Sequence, residues 1–207
     1  MRNRLLIVTA VAAERDALGF GEVVGVGSAA AAAGTARLLA SGDYRAVISA
    51  GIAGGFAGRV EIGGTVLATE SIAADLGADS PDGFLPLSEL GFGTDRYPVD
   101  PALLEALRAV LPDAVAGPIL TVSTVTGTAA GTAALAGRHP DAAAEAMEGF
   151  GVATAAAGAG VPFAEIRTVS NVAGLRDRSA WQVGTALGAL AEVGRVLRKG
   201  ALGRLER

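Results

Sequence analysis

Short apolar runs alternate with Ala-rich, helix-forming stretches along the chain, and this alternation restricts the fold more than any other feature. The runs 5–9, 46–49, 65–72, 119–123 and 162–170 have the length and apolar content of buried strands, and 22–26 reads as a further short one. Between them, 29–39, 127–135 and 179–197 have helical composition, the last with Lys199 and Gly200 as stop signals. Asp100 and Pro101 cap and open a helix running to Leu111. Strands and helices in turn predict an α/β protein, and with no linker or repeat the whole of residues 1–207 reads as a single domain. Two segments fall outside the alternation. Residues 75–98, rich in Gly, Pro and Asp, read as a long loop that shapes a site or a subunit contact, and 51–55 read as a glycine-rich turn ending a strand.

The start of the chain admits two readings. Arg2 and Arg4 precede the apolar stretch 5–13, which ends in Val11-Ala12-Ala13 as a signal peptide would. The same stretch serves as a first buried strand entering a helix whose early residues include Glu14 and Asp16, and this reading is preferred. No run reaches the roughly 18 apolar residues of a membrane span, so no membrane partner is expected.

Composition narrows the chemistry. The chain carries 17 basic and 21 acidic residues, a formal net charge of -4, which is a poor match to a partner of nucleic acid. With no Cys and one His, thiolate metal sites, Cys nucleophiles and His clusters are excluded. Catalysis must lean on carboxylates, amides and backbone groups.

Four local patterns can carry function, and each has a plain structural alternative. Gly25-Val26-Gly27-Ser28-Ala29-Ala30 follows a strand and opens a helix, as a dinucleotide-binding turn does, but the expected acid at the end of the next strand is missing, since Asp43 comes before it. Three glycines in the segment 49–56 let backbone N–H groups approach a ligand, yet the Lys of a P-loop is absent. Glu148 can be a helix-start acid. Asn171, just after a strand, can be an ordinary turn residue.

Taken in order, Ala10-Val11-Ala12-Ala13-Glu14, the 50–55 segment, Met147-Glu148 and Val169-Ser170-Asn171-Val172-Ala173 resemble the purine nucleoside phosphorylase and nucleosidase superfamily over nearly the whole chain. Thr121 to Gly127, Glu165 to Asn171, Arg176-Asp177-Arg178 and Trp181 are most similar to its futalosine-cleaving branch, which serves menaquinone biosynthesis. The resemblance implies a three-layer α/β/α fold with a mixed central β-sheet, cleavage of a purine N-glycosidic bond, no cofactor and no metal. It also implies a cytoplasmic homodimer or larger homo-oligomer acting on a small-molecule nucleoside. By that resemblance Glu14 activates water, Glu148 accepts the ribose hydroxyls with Met147 beneath the sugar, and Asn171 reads the purine. Ile52, Ala53, Gly54, Thr124 and Val125 are implied substrate contacts.

Residue chemistry sharpens two of these expectations. An Asn at position 171 suits a 6-oxopurine, because its NH₂ donates to O6 while its carbonyl accepts from N7–H. Ile52 stands where phosphorylases of the superfamily carry a hydroxyl, and Glu14 repels an anion, so water is favoured over phosphate as nucleophile. Arg176 and Arg178 are candidates to pair with the benzoate-type arm of futalosine, or are solvated loop charges. Trp181 either flanks the 5′ side of the ribose or anchors the last helix. The alternatives are a methylthioadenosine or aminodeoxyfutalosine nucleosidase, a non-catalytic purine-nucleoside binding protein, and a dinucleotide-dependent oxidoreductase.

Overall fold

Strand β3, Tyr44–Gly55, is the axis of the molecule in the computed structural model, which describes residues 4–174 and 177–201. Its first half pairs in parallel with β1 (Arg4–Thr9), and its other edge pairs in parallel with β10 (Phe163–Val172) over nearly its whole length. β10 also pairs antiparallel with β4 (Thr65–Ala73), β4 parallel with β8 (Val115–Thr121), and β8 parallel with β9 (Ala144–Ala146). Because β9 returns antiparallel to the last two residues of β3, these five strands close on themselves. The two-residue β2 (Glu22–Val23) extends the sheet beyond β1, and β7 (Arg96–Pro98) hangs on β4. The sheet is therefore mixed, as the resemblance implies.

Successive residues of a strand face opposite sides, and β10 shows which helices lie where. Thr168 donates its hydroxyl to the Ala186 carbonyl of α7 (Val183–Val196), whereas Glu165 and Arg167 point toward the start of α6 (Gly149–Ala159). α1 (Ala12–Leu18) packs on α7 and α2 (Ser28–Ser41) on α6, which gives a three-layer α/β/α arrangement. Close helix contacts require small residues at the crossings: a Cβ on Gly151 would strike the Ser28 carbonyl, and one on Gly194 the Leu18 carbonyl. α4 (Pro101–Val110) starts as expected, with Asp100 accepting from the Leu103 N–H at 3.0 Å. α5 (Ala129–Arg138) is capped by Thr128.

Three expectations need correction. The glycine-rich stretch 51–55 is not a turn but the second half of β3, held extended by pairing to β10 on one edge and to β9 at its end. Residues 75–98 are not a loop: they form a hairpin of β5 (Gly77–Ser80) and β6 (Gly83–Pro86), the short α3 (Leu87–Leu90), and β7. The strand expected over 22–26 stops at Val23, because Gly25 and Gly27 take positive φ (101° and 87°) and turn the chain into α2. No described helix is long and apolar enough to cross a membrane.

Candidate active site

The carboxyl ends of β1, β3 and β10 converge beside β9, where a cavity of about 190 Å³ opens. Among the described residues its polar lining is Glu14, Glu145, Glu148, Ser170, Asn171 and Trp181, with no Lys or Arg. Ile52, Ala53 and Gly54 form part of its wall, and Val26, Val125 and Met147 add apolar surface.

Glu14 is fixed by backbone donors. It is buried in the first turn of α1, where Oε2 accepts from the N–H groups of Ala10 (2.9 Å) and Val11 (3.3 Å), and Oε1 from Ile52 (2.9 Å). The N–H at the helix start thus meets the side chain three residues on, one half of a capping box, while β3 supplies the third bond. Each carboxylate oxygen has two acceptor sites, so Oε1 keeps one free for a ligand proton.

Arg167, the one buried cation among the described residues, ties two carboxylates and a hydroxyl together. Its Nε donates to Glu165 (2.9 Å), Nη1 to Glu148 (3.3 Å) and Nη2 to the Ser49 hydroxyl (3.0 Å). Burial works against its charge, but attraction from Glu165, Glu148 and Glu14 outweighs that and raises its pKa. Burial raises the pKa of Glu165, partly offset by Arg167 and the Ser71 hydroxyl. Glu148 also accepts from the N–H groups of Gly27 (3.1 Å) and Met147 (3.3 Å).

Glu14 and Arg167 meet over Gly51. A Cβ there would lie 2.5 Å from Glu14 Oε1 and 2.6 Å from Arg167 Nη1, two atoms pinned by other hydrogen bonds. Gly51→Ala is expected to cost about 1–3 kcal/mol of stability through overpacking and to remove most catalytic activity. Thermal melts paired with turnover assays check this, and an alanine variant with full activity would show that the gap is unused.

On the far side of the cavity, Asn171 accepts from the Ser170 hydroxyl (2.8 Å) and donates to the Val172 carbonyl (3.1 Å), leaving one N–H and one acceptor site for a ligand. Glu145 accepts from both the N–H (3.0 Å) and the hydroxyl of Thr126. Burial raises its pKa, against the opposing effect of those two bonds.

The structure brings Glu14, Ile52, Ala53, Gly54, Val125, Met147, Glu148, Asn171 and Trp181 to one cavity. Thr124 is exposed and outside it, on a loop whose Ser123 N–H is held by Asp75. Arg176 lies outside the described residues, as does the Arg178 side chain. Arg167, Glu165 and Glu145 were not singled out by the sequence reading. Two opposite charges at i and i+2 in an otherwise apolar strand, Glu165-Ile166-Arg167, are the signal that could have shown the first two, because they share one face and must pair if buried.

A family model for the phosphorylase superfamily matches residues 18–199. A futalosine hydrolase of Streptomyces coelicolor is 48% identical, over 91% of this chain and 92% of that protein. Among solved structures, futalosine hydrolase of Helicobacter pylori superposes with a TM-score of 0.82 at 16% identity, covering 96% of this chain and 98% of that one. The 5′-methylthioadenosine/S-adenosylhomocysteine nucleosidase of Neisseria meningitidis, in complex with methylthio-immucillin-A, gives a TM-score of 0.81 at 21% identity, with 95% and 99% coverage. The chain belongs to the phosphorylase superfamily and, within it, to the futalosine hydrolases.

Proposed function

We propose that the protein hydrolyses the N-glycosidic bond of futalosine, releasing hypoxanthine and dehypoxanthinyl futalosine, as a cytoplasmic homodimer or larger homo-oligomer in menaquinone biosynthesis. The observation that carries the reading is the Glu14 carboxylate, held by three backbone donors in the lining of a cavity that also presents two further carboxylates and an amide. The family relationship supports the substrate. Glu14 takes a proton from water, the water oxygen bonds to the anomeric carbon, and the C–N bond pair departs with the purine. The proton returns through solvent to the purine, which leaves Glu14 ionised again. Loss of the purine builds positive charge on the sugar, and the carboxylates Glu14 and Glu148 stabilise it. Glu148 Oε1, which accepts only from Gly27, keeps a site for a ribose hydroxyl proton, while Oε2 is filled by the Met147 N–H and Arg167. Asn171 donates to O6 and, once the departing purine is protonated at N7, accepts from N7–H, an arrangement that fits a 6-oxopurine.

The described lining offers an anion no cationic partner. No Lys or Arg among the described residues faces the cavity, and each guanidinium nitrogen of Arg167 donates to a protein partner, Glu165, Glu148 or Ser49. The rate of futalosine cleavage is therefore expected to be the same in phosphate-free buffer and in buffer containing phosphate, with free hypoxanthine as the base product. A phosphorylated sugar product, or a rate that needs phosphate, would assign a phosphorylase instead.

Arg176 and Arg178 are proposed to hold the carboxylate of the arm. Arg176→Ala or Arg178→Ala should then weaken kcat/KM for futalosine by about 1.5–3 kcal/mol in binding terms while inosine is little affected. Equal losses on the two substrates would remove the arginines from arm recognition.

A further inference from the structure

Glu145, Gly54 and Asn171 form one row across three adjacent strands. Gly54 of β3 is the register partner of Glu145 in β9 and of Asn171 in β10. Neighbouring strands lie about 4.8 Å apart, so the two α-carbons flank the glycine with roughly 10 Å between them. Gly54 puts no side chain between them, and a Cβ there would meet Ala173 at 3.5 Å. A Cβ there would sit 3.2 Å from Asn171 Nδ2, which places the amide on the face to which position 54 points. Directly paired strand residues share a face, so the Glu145 carboxyl rises on that face as well, and all three residues line the cavity.

The row presents acceptors at one end and a mixed donor and acceptor at the other. Glu145 Oε1 and Oε2 each accept one hydrogen bond from Thr126, and each keeps a second acceptor site. Among purine edges, only that of a 6-oxopurine carries an N1–H donor beside O6 and N7. A 6-aminopurine has a bare N1 lone pair there, which would face the carboxylate lone pairs.

Resting on the nucleosidase reading above, we propose that Glu145 is a specificity-determining residue of the purine site, accepting N1–H of a 6-oxopurine while Asn171 contacts O6 and N7–H. The flat base spans the glycine gap from carboxylate to amide. Thr126 holds the carboxylate in place and fixes the loop carrying Val125 against the same end of the cavity.

The test compares kcat/KM for futalosine and its 6-amino counterpart in the wild type and in Glu145→Gln. A Gln amide can accept from N1–H or donate to a bare N1, so the preference for the 6-oxo substrate should fall at least about tenfold. An active variant with the wild-type ratio would overturn the proposal. Thr126→Val, which loosens the loop but keeps the carboxylate, should lower both substrates and preserve the ratio; the same shift in ratio would assign the preference to the loop and overturn the proposal. A measurement on the unaltered protein covers a variant that does not fold: hypoxanthine should bind at least about tenfold tighter than 1-methylhypoxanthine, and equal affinities would exclude contact with N1–H. Failure of the wild type to cleave futalosine would defeat the functional reading, whereas the comparison of free bases would still decide the role of Glu145.

Discussion

Glu14→Gln is expected to lower turnover by ~10²–10⁴, the usual loss when a general base is removed, with substrate affinity within several-fold of wild type. The amide keeps the shape of the side chain and can still accept through its carbonyl oxygen, but it cannot take a proton from water. The NH₂ of the Gln would face donors on one side, whichever way it turns: Ala10 and Val11 N–H on the Oε2 side or Ile52 N–H on the Oε1 side. Some loss of stability therefore accompanies the loss of rate, and the two are separated by measuring kcat on protein shown to be folded by circular dichroism. A folded variant keeping more than about a tenth of wild-type kcat would take the general-base role away from Glu14.

The second large effect is on stability. Arg167→Met should cost about 3–5 kcal/mol, because it leaves Glu165 and Glu148 buried together with no cation between them. For a chain of this size that corresponds to a fall in Tm of roughly 6–20 °C. The loss should depend on pH in a fixed direction. Glu165 already has its folded-state pKa raised by burial, and without Arg167 it rises further. The folded state then binds more protons than the unfolded one, so stability is greatest below the ordinary carboxylate range and declines as pH climbs through the raised native value. Melts of the variant across pH 4 to 8 should show Tm falling as pH rises, relative to wild type. A variant whose deficit is constant with pH would mean that neither carboxylate is left uncompensated.

Much of the fold was legible because the buried runs are apolar and evenly separated by helix-forming segments, so β1, β3, β4, β8 and β10 each announce themselves locally. The second half of β3 did not, since Gly51, Gly54 and Gly55 have low strand propensity and are extended only because β10 and β9 pair with them. β9 is three residues long, and its two neighbours in the sheet come from distant parts of the chain. The hairpin in 75–98 was hidden by the same turn residues that make it.

The site divides in the same way. Glu14, Glu148 and Asn171 stand in motifs that carry the superfamily resemblance, and they come to one cavity because parallel β1, β3 and β10 end side by side. Hydrogen bonds from Arg167 to Ser49 on the neighbouring strand and from the Thr126 loop to Glu145 join residues that no local spacing connects. They follow from topology rather than from pattern.

The central claim is that this cavity cleaves a 6-oxopurine nucleoside with water. The most direct measurement is base release from futalosine, its 6-amino counterpart, methylthioadenosine and inosine by the purified protein in phosphate-free buffer, with each base identified by chromatography. Hypoxanthine should be released from futalosine at the highest kcat/KM of the four. Faster adenine release from methylthioadenosine or from the 6-amino counterpart would contradict it.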